Sequence, residues 1–424
     1  MSTFNISQNQ TPIDDDNLIP QPTFCKLLKY HNDTVSMLAF NSNNKQLISS
    51  SYDNHVLIWD LANPSKKPQV GEGHKSLIND ISIAPTGFTF ATASSDHTVR
   101  IWSNINDYSS KGKIQSQSIK FNSAPVKSVD FSCDSRLICT GSDDKTVKII
   151  SVADKRLQAN LTGHTNWVKC TRFNRDSKLI ASGSDDKTLK LWDVPRKTLC
   201  YSFDKGEHKG AINCVRFHPD NSCLATACFD SKIRLFDVRS KQMVQTYSYH
   251  SRPATSLAFH PSGNFLASTS YDETIKIYDL RMGDILFTLQ AHSGAVTSIA
   301  FSNFGDYFAS GGLDSHIVLW ESNLEHYKNL GNLCSSGDSE SIQSPTSSKP
   351  FNSDTKLNYK NKQVVEVNSS NQENTGESLT RLFDKMVSQM EMITSSFVNF
   401  ERRVAKMEEM IDEINEEDQE IQNN

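Results

Sequence analysis

Two stretches of this chain carry almost the same eleven residues. Gly183–Asp193 reads GSDDKTLKLWD, and Gly141–Ser151, 42 residues earlier, reads GSDDKTVKIIS. A chain that repeats itself at such a period does not fold around one private core. Each copy must be a small supersecondary unit that buries its apolar face against the next.

Aligned on the residue that closes each copy, the chain gives Trp59, Trp102, Ile150, Trp192, Phe236, Tyr278 and Trp320, in steps of 43, 48, 42, 44, 42 and 42. Six residues before each ending stands Asp53, Asp96, Asp144, Asp186, Asp230, Asp272 or Asp314. Ten before it stands Ser49, Thr92, Thr140, Ser182, Thr226, Ser268 or Ser310. Twenty-eight before it stands His31, His74, His164, His208, His250 or His292, and Asn122 in the third unit. One and three residues before each ending only Val, Ile or Leu occurs, usually with Lys or Arg between them, which is the period of two of a strand. Nine residues after each His position comes Phe40, Phe131, Phe173, Phe217, Phe259 or Phe301, with Ile83 in the second unit, to anchor the innermost strand. A period near forty with this ending predicts four short strands per unit.

The pattern of His, Ser/Thr, Asp and Trp-Asp resembles the WD40 repeat over about residues 24–321. The resemblance implies an all-β fold, a seven-bladed propeller with one four-stranded blade per unit. It also implies that each His bonds the Asp in the turn between its second and third strands, with the Ser/Thr and Trp extending the bonded chain. Buried polar groups without partners cost about 1–3 kcal/mol each, so such residues come together. A metal or acid–base role is not expected, because each His has an Asp in its own unit while coordination needs ligands converging on one point. The third unit lacks its His (Asn122), its Trp (Ile150) and the Asp after it (Ser151) together, and is expected to fold on its apolar strands alone.

Closure of the ring is legible too. TFCKLLKYH at 23–31 resembles DILFTLQAH at 284–292, an outer strand, yet it precedes the first unit. Residues 23–30 are therefore expected to complete blade seven, which removes an exposed edge and bounds the propeller at 23–321.

The residue before each Asp should point outward on one face: Tyr52, Ser95, Asp143, Asp185, Phe229, Tyr271 and Leu313. Tyr52, Phe229, Tyr271 and Leu313 form a contiguous arc over blades five, six, seven and one, with Trp167 facing the same way. Large apolar groups in a row mark an interface with a protein partner; the alternative is that they pack on neighbouring loops. Lys127, Lys145, Lys148, Lys169, Arg172, Arg175, Lys178, Lys187 and Lys190 concentrate base in blades three and four, as a solvated face.

Residues 1–22 read as a disordered tail and 322–376, rich in Ser, Asn, Asp and Lys, as a disordered linker. Beyond it Leu379, Phe383, Met386, Met390, Ile393, Phe397, Phe400, Val404, Met407, Ile411 and Ile414 follow in alternating steps of four and three. That is a coiled-coil seam in a helix over 377–418, roughly 55 Å long at the helical rise, and it predicts self-association. Charge divides along the same lines. Residues 377–420 carry twelve Asp or Glu against five Lys or Arg, and residues 1–23 three Asp and no base. With −5 for the whole chain, the part between carries +5, too little for a nucleic-acid footprint.

No apolar run reaches the ~18 residues of a membrane helix, and the first twenty residues show no secretory signal. The nine cysteines form no CxxC pair; Cys133, Cys139, Cys170, Cys214 and Cys223 read as small core residues of a chain in a reducing compartment. There is no glycine-rich phosphate loop, nucleophile elbow or metal motif, so no catalytic residue, cofactor or metal is expected and the chain reads as non-enzymatic.

The seventh unit, FSNFGDYFASGGLDSHIVLW at 301–320, and the ending LTRLFDKMVSQMEMITSSFVNFERRVAKMEEMI are similar to the last blade and terminal coiled coil of the centriolar "protein of centriole" (POC) family. The resemblance implies a scaffold of centrioles and basal bodies in the cytoplasm, supporting cilium formation. Its propeller would bind centriolar or tubulin-associated proteins, with neither nucleic acid nor membrane as partner. The other reading is an adaptor subunit of a ubiquitin-ligase, chromatin or microtubule-severing complex.

Overall fold

A computed structural model describes residues 21–63, 65–103, 114–204 and 206–324. The tail up to residue 20, most of the 322–376 linker and the whole 377–418 seam lie outside the described residues. Within them, 28 strands form seven antiparallel four-stranded sheets arranged as the blades of a ring. Blade four shows the plan: strands Val168–Phe173, Leu179–Ser184, Leu189–Asp193 and Thr198–Phe203 run from the central channel to the rim and are termed a to d.

Strand b explains why blades can stack. It reads SSS, TAS, TGS, SGS, TAC, STS and SGG at its end, and these small residues are buried. A Cβ on Gly183 would lie 2.5 Å from the Ile212 side chain of the next blade. The core therefore lies between blades. Ile48, Val56 and Ile58 of blade one pack with Ile78, Ile81, Phe90 and Trp102 of blade two in one buried cluster. Trp102 stacks on Phe90 at 5.6 Å, and Trp320 stacks on Phe308 at the same distance in blade seven.

Turns repeat as well. The residue after each conserved Asp has positive φ in all seven blades, from Asn54 (67°) to Ser315 (61°), which lets a tight b–c turn return the chain. In the a–b turn of blade seven, Gly305 has φ 86°, and a Cβ there would fall 2.1 Å from His260 Nε2 of blade six. Here glycine serves both a left-handed turn and a close approach.

Each strand a carries one β-bulge against strand b, at Ser36, Asn79, Lys127, Lys169, Asn213, Thr255 and Thr297. A bulge re-aims one side chain, and here several of them reach the next blade. Asn79 donates to Val126 O at 2.7 Å, Asn213 to Ala254 O at 2.8 Å and Thr255 to Val296 O at 2.6 Å. Thr297 donates to Val35 O, tying blade seven to blade one.

Thr23–Lys29 is the outermost strand of the seventh sheet, antiparallel to His316–Glu321, with Leu27 opposite Val318 and Leu28 opposite Ile317. Leu28 is buried, and Phe24 meets Trp320 edge-on at 6.4 Å. The ring is thus held shut by a strand from the far end of the repeat array.

Two sequence expectations are corrected here. Cys133 is exposed, because it lies in an a–b turn, whereas Cys139, Cys170 and Cys214 are buried. The basic set of blades three and four is not one solvated face: Lys148, Arg172 and Lys190 are buried.

Candidate functional site

Five blades carry a closed polar chain linking His, Ser/Thr, Asp and an aromatic ending. His31, His74, His164, His250 and His292 place Nδ1 2.8–3.0 Å from Asp53, Asp96, Asp186, Asp272 and Asp314. Their Nε2 atoms lie 2.7–2.8 Å from Ser49, Thr92, Ser182, Ser268 and Ser310. The indoles of Trp59, Trp102, Trp192 and Trp320 donate to those hydroxyls at 2.9, 2.8, 2.7 and 3.1 Å. In blade six the Tyr278 hydroxyl takes that place, 3.2 Å from Ser268. A carboxylate only accepts, so Nδ1 carries the proton, and the hydroxyl, accepting from the indole, is free to donate to Nε2.

Blades three and five solve the problem differently. In blade three Lys148, expected to sit on a strand held by apolar contacts alone, turns inward and donates to Asp144 at 2.6 Å. Thr140 Oγ1 and Asn122 Oδ1 stay without partners. In blade five His208 does not bond Asp230. Arg234 takes the carboxylate through both nitrogens at 2.7 and 3.1 Å and reaches His208 Nδ1 at 3.4 Å. The reason lies in Phe236, which has no N–H to give. Thr226 turns to Arg234 O at 3.4 Å, and His208 Nε2 loses its donor.

These environments shift titration in opposite directions. Burial alone would raise the conserved carboxyls, but hydrogen bonds from His and backbone amides outweigh it and hold Asp53 at about 2; those to Asp96, Asp186 and Asp272 act in the same direction. Burial and the Arg234 guanidinium push His208 down to about 4. Burial in the channel wall pushes Asp130 up to about 6, against the pull of Arg172.

The signs give a test. A depressed His208 contributes stability that is present above its unfolded pKa near 6.5 and lost as pH falls towards 4. A raised Asp130 contributes stability that is present below its unfolded value of 3.8 and lost as pH rises through about 6. Each amounts to about 3 kcal/mol, so in the native chain they partly offset between pH 6.5 and 4. In thermal melts, Asp130→Asn should lose stability as pH falls through this window and His208→Leu should gain it. Parallel curves for the two variants would refute both assignments.

All seven residues before the conserved Asp sit at one end of the ring, here termed upper. Each is pinned by its own N–H to the residue preceding strand a, as Tyr52 to Thr34 O at 3.0 Å and Phe229 to Ala211 O at 2.8 Å. The large apolar side chains among them are open to solvent, Tyr52, Phe229, Tyr271 and Leu313 being 38%, 56%, 41% and 50% exposed, as is the nearby Trp167 at 49%. Tyr52 and Tyr271 line the upper mouth of the channel together with Lys127 and Lys169 of the opposite blades. Lys127 reaches Asp143 at 3.7 Å and Lys169 reaches Asp185 at 3.3 Å, so that side is charged but locally balanced. The arrangement is an apolar half-ring facing a polar half-ring around an opening. Large apolar groups exposed in a row are the feature that protein interfaces present.

Inside the channel, a polar network that sequence reasoning missed joins blades two, three and four. Arg172 grips Asp80 with two bonds of 2.7 and 3.0 Å, and Asp80 also accepts from Ser128 Oγ at 2.8 Å and Val129 N at 3.0 Å. Asp130 accepts from Ser82 at 2.9 Å and from Phe173 N at 2.8 Å. Among the described residues no group of three or more His, Cys, Asp or Glu forms a metal site, and no helix is long and apolar enough to cross a membrane.

Comparison with known proteins agrees with this geometry. The family described as "WD domain, G-beta repeat" matches residues 22–60, 65–103, 114–151, 155–193, 198–237, 241–279 and 283–321. The chain is 31% identical over 157 residues to the serine-threonine kinase receptor-associated protein of Dictyostelium discoideum, covering 35% of this chain and 48% of that one. It is 26% identical over 144 residues to nuclear distribution protein nudF 1 of Talaromyces marneffei, covering 34% and 30%. It is 31% identical over 134 residues to Elongator complex protein 2 of Danio rerio, covering 29% and 16%. The aligned segments span less than half of each of these relatives. Seven matched repeats, seven sheets and five closed polar chains lead to one assignment: this chain belongs to the WD40 repeat family and folds as its seven-bladed propeller, an architecture of scaffolds and adaptors.

Proposed function

We propose that this chain is a non-enzymatic scaffold of centrioles and basal bodies, docking on proteins of the microtubule wall through its upper face. The observation that carries the reading is the arc of Tyr52, Phe229, Tyr271 and Leu313, whose backbones are pinned while their side chains stand in solvent. Aromatic and branched anchors held rigidly lose little entropy on binding, which is what a docking surface needs. The positive charge of the region around the propeller favours acidic partners such as tubulin or proteins bound to it. Self-association through the 377–418 seam multiplies a modest propeller affinity, since a second contact becomes intramolecular. The resemblance of the last blade and the C-terminal heptads to the centriolar family supports this assembly. The likeness to Elongator complex protein 2 favours a second reading, an adaptor subunit of another complex.

A fluorescently tagged full-length chain, imaged beside a centriolar marker in dividing and ciliated cells, tests the choice. Discrete overlap with centrioles and basal bodies supports the proposal. Diffuse or nuclear signal without such overlap would reject it in favour of the adaptor reading.

A further inference from the structure

The lower end of the channel, where the a–b turns lie, has a different character from the upper mouth. The fifth residue of strand a faces the bore in every blade: Ala39, Ser82, Asp130, Arg172, Arg216, Ala258 and Ala300. At this level charge is confined to blades three to five, and three alanines face it from blades six, seven and one. The missing side chains leave a cavity of about 470 Å³, walled by Phe40, Phe217, Phe259 and Phe301 and opening past Pro219, Pro261 and Asn303.

Three of the four charges in the bore belong to one bonded set. Arg172 is committed to Asp80, and both oxygens of Asp130 are filled by Ser82 and Phe173. Arg216 stands outside that set. Its one hydrogen bond is long, 3.4 Å to Val215 O, and among the described residues no carboxylate lies within ion-pairing distance of it. A half-buried guanidinium offers five N–H groups in a fixed fork and here spends almost none of them. In a bore walled by rings, an anion facing it is screened far less than at the surface.

We propose that this cavity is a binding site for a small organic carboxylate, an anionic head on an apolar body, seated with the head on Arg216 and the body against the phenylalanine ring and the three alanines. The volume falls within the range of small-molecule sites, and the pattern of mostly apolar walls with one placed charge is the one such sites show. The site is at the opposite end of the channel from the aromatic arc, so its occupancy and protein docking are separable.

Isothermal titration of the full-length chain tests this, with 3-phenylpropionate as probe. The matched controls are 3-phenylpropionamide, which keeps the body and loses the charge, and inorganic phosphate, which keeps an anion and loses the body. Measurable binding of the carboxylate with at least tenfold weaker binding of both controls is expected. Arg216→Met, which keeps the length of the side chain, should abolish that binding with an unchanged thermal midpoint. Ala300→Leu, which fills the cavity and leaves Arg216 in place, should abolish it as well. Equal binding of acid and amide, equal binding by the wild type and Arg216→Met, or no heat from any probe would each overturn the assignment. If Arg216→Met lowers the midpoint, the Ala300→Leu result decides between the two outcomes on its own.

Discussion

Replacing Arg172 by Met should destabilise the propeller by about 3–5 kcal/mol, among the largest effects of any single change in the molecule. The substitution keeps most of the volume and removes the charge. Asp80 is then left buried between blades two and four with the Ser128 hydroxyl and the Ile81 and Val129 amides as partners and no compensating charge. Breaking one half of a buried pair costs far more than the pair itself contributes, because the remaining charge is desolvated without compensation. The companion prediction follows directly. Asp80→Leu with Arg172→Met removes both charges and should recover most of the lost stability. A thermal melt distinguishes these outcomes, since a drop of several kcal/mol moves the midpoint by roughly 10 °C in a domain of this size. A double variant as unstable as the single one would mean that the network positions the strands by its geometry and not by charge balance.

Leu28→Asp should be comparably damaging, by a different route. Leu28 lies opposite Ile317 in the strand that closes the ring, and its side chain belongs to a buried cluster that includes Val35 and Leu38 of blade one and Leu319 of blade seven. A carboxylate in that cluster has no partner, so the closing strand is expelled, exposing the edge of His316–Glu321 and the face of Trp320. An open ring loses the contacts on both sides of the gap, with a cost of about 3–5 kcal/mol. Hydrogen exchange shows where the damage falls. Amides of His316–Glu321 and of strand Val35–Phe40 should lose protection first, while those of blade four keep theirs longest. Uniform loss in all seven blades would mean that the ring unfolds as one unit, whichever contact is broken.

The two cases mark what a sequence can disclose about such a fold. The blades, the turns and the tetrads were legible because each position is tested seven times. The outer-strand character of TFCKLLK was legible because it sits one place too early in the series. What escaped were residues that depart from the repeat. Lys148, Lys190 and Arg234 occupy the same place between apolar neighbours, yet Lys148 and Arg234 turn to their Asp whereas Lys190 reaches Ser202 at 2.8 Å. Nothing in the basic residue itself decides this. The partners do, through Asn122 in one blade and Phe236 in the other, which remove a donor from the chain. Phe236 was the missed signal, since His208 alone suggested an intact set.

Asp80 and Arg172 were hidden for the same reason. They lie 92 residues apart and in different columns of the repeat, so no local spacing links them. The trace is Asp80, a charge in a strand position where the other blades carry Met, Ser or Cys. Such a residue cannot be there without a partner across the channel. The aromatic arc, by contrast, was readable residue by residue, because the structural Asp fixes the direction of the residue before it.

The claim that this arc is the docking surface rests on its side chains being dispensable for the fold. A full-length variant carrying Tyr52→Ser, Phe229→Ser, Tyr271→Ser and Leu313→Ser should melt within a few degrees of the wild type, since all four residues are more than a third exposed and none belongs to a buried cluster between blades. Quantitative imaging of the tagged variant against the tagged wild type, at equal expression, is the most direct measurement. Loss of most of the centriolar signal with the melt preserved is the predicted result. Undiminished signal at centrioles from the folded variant would contradict it.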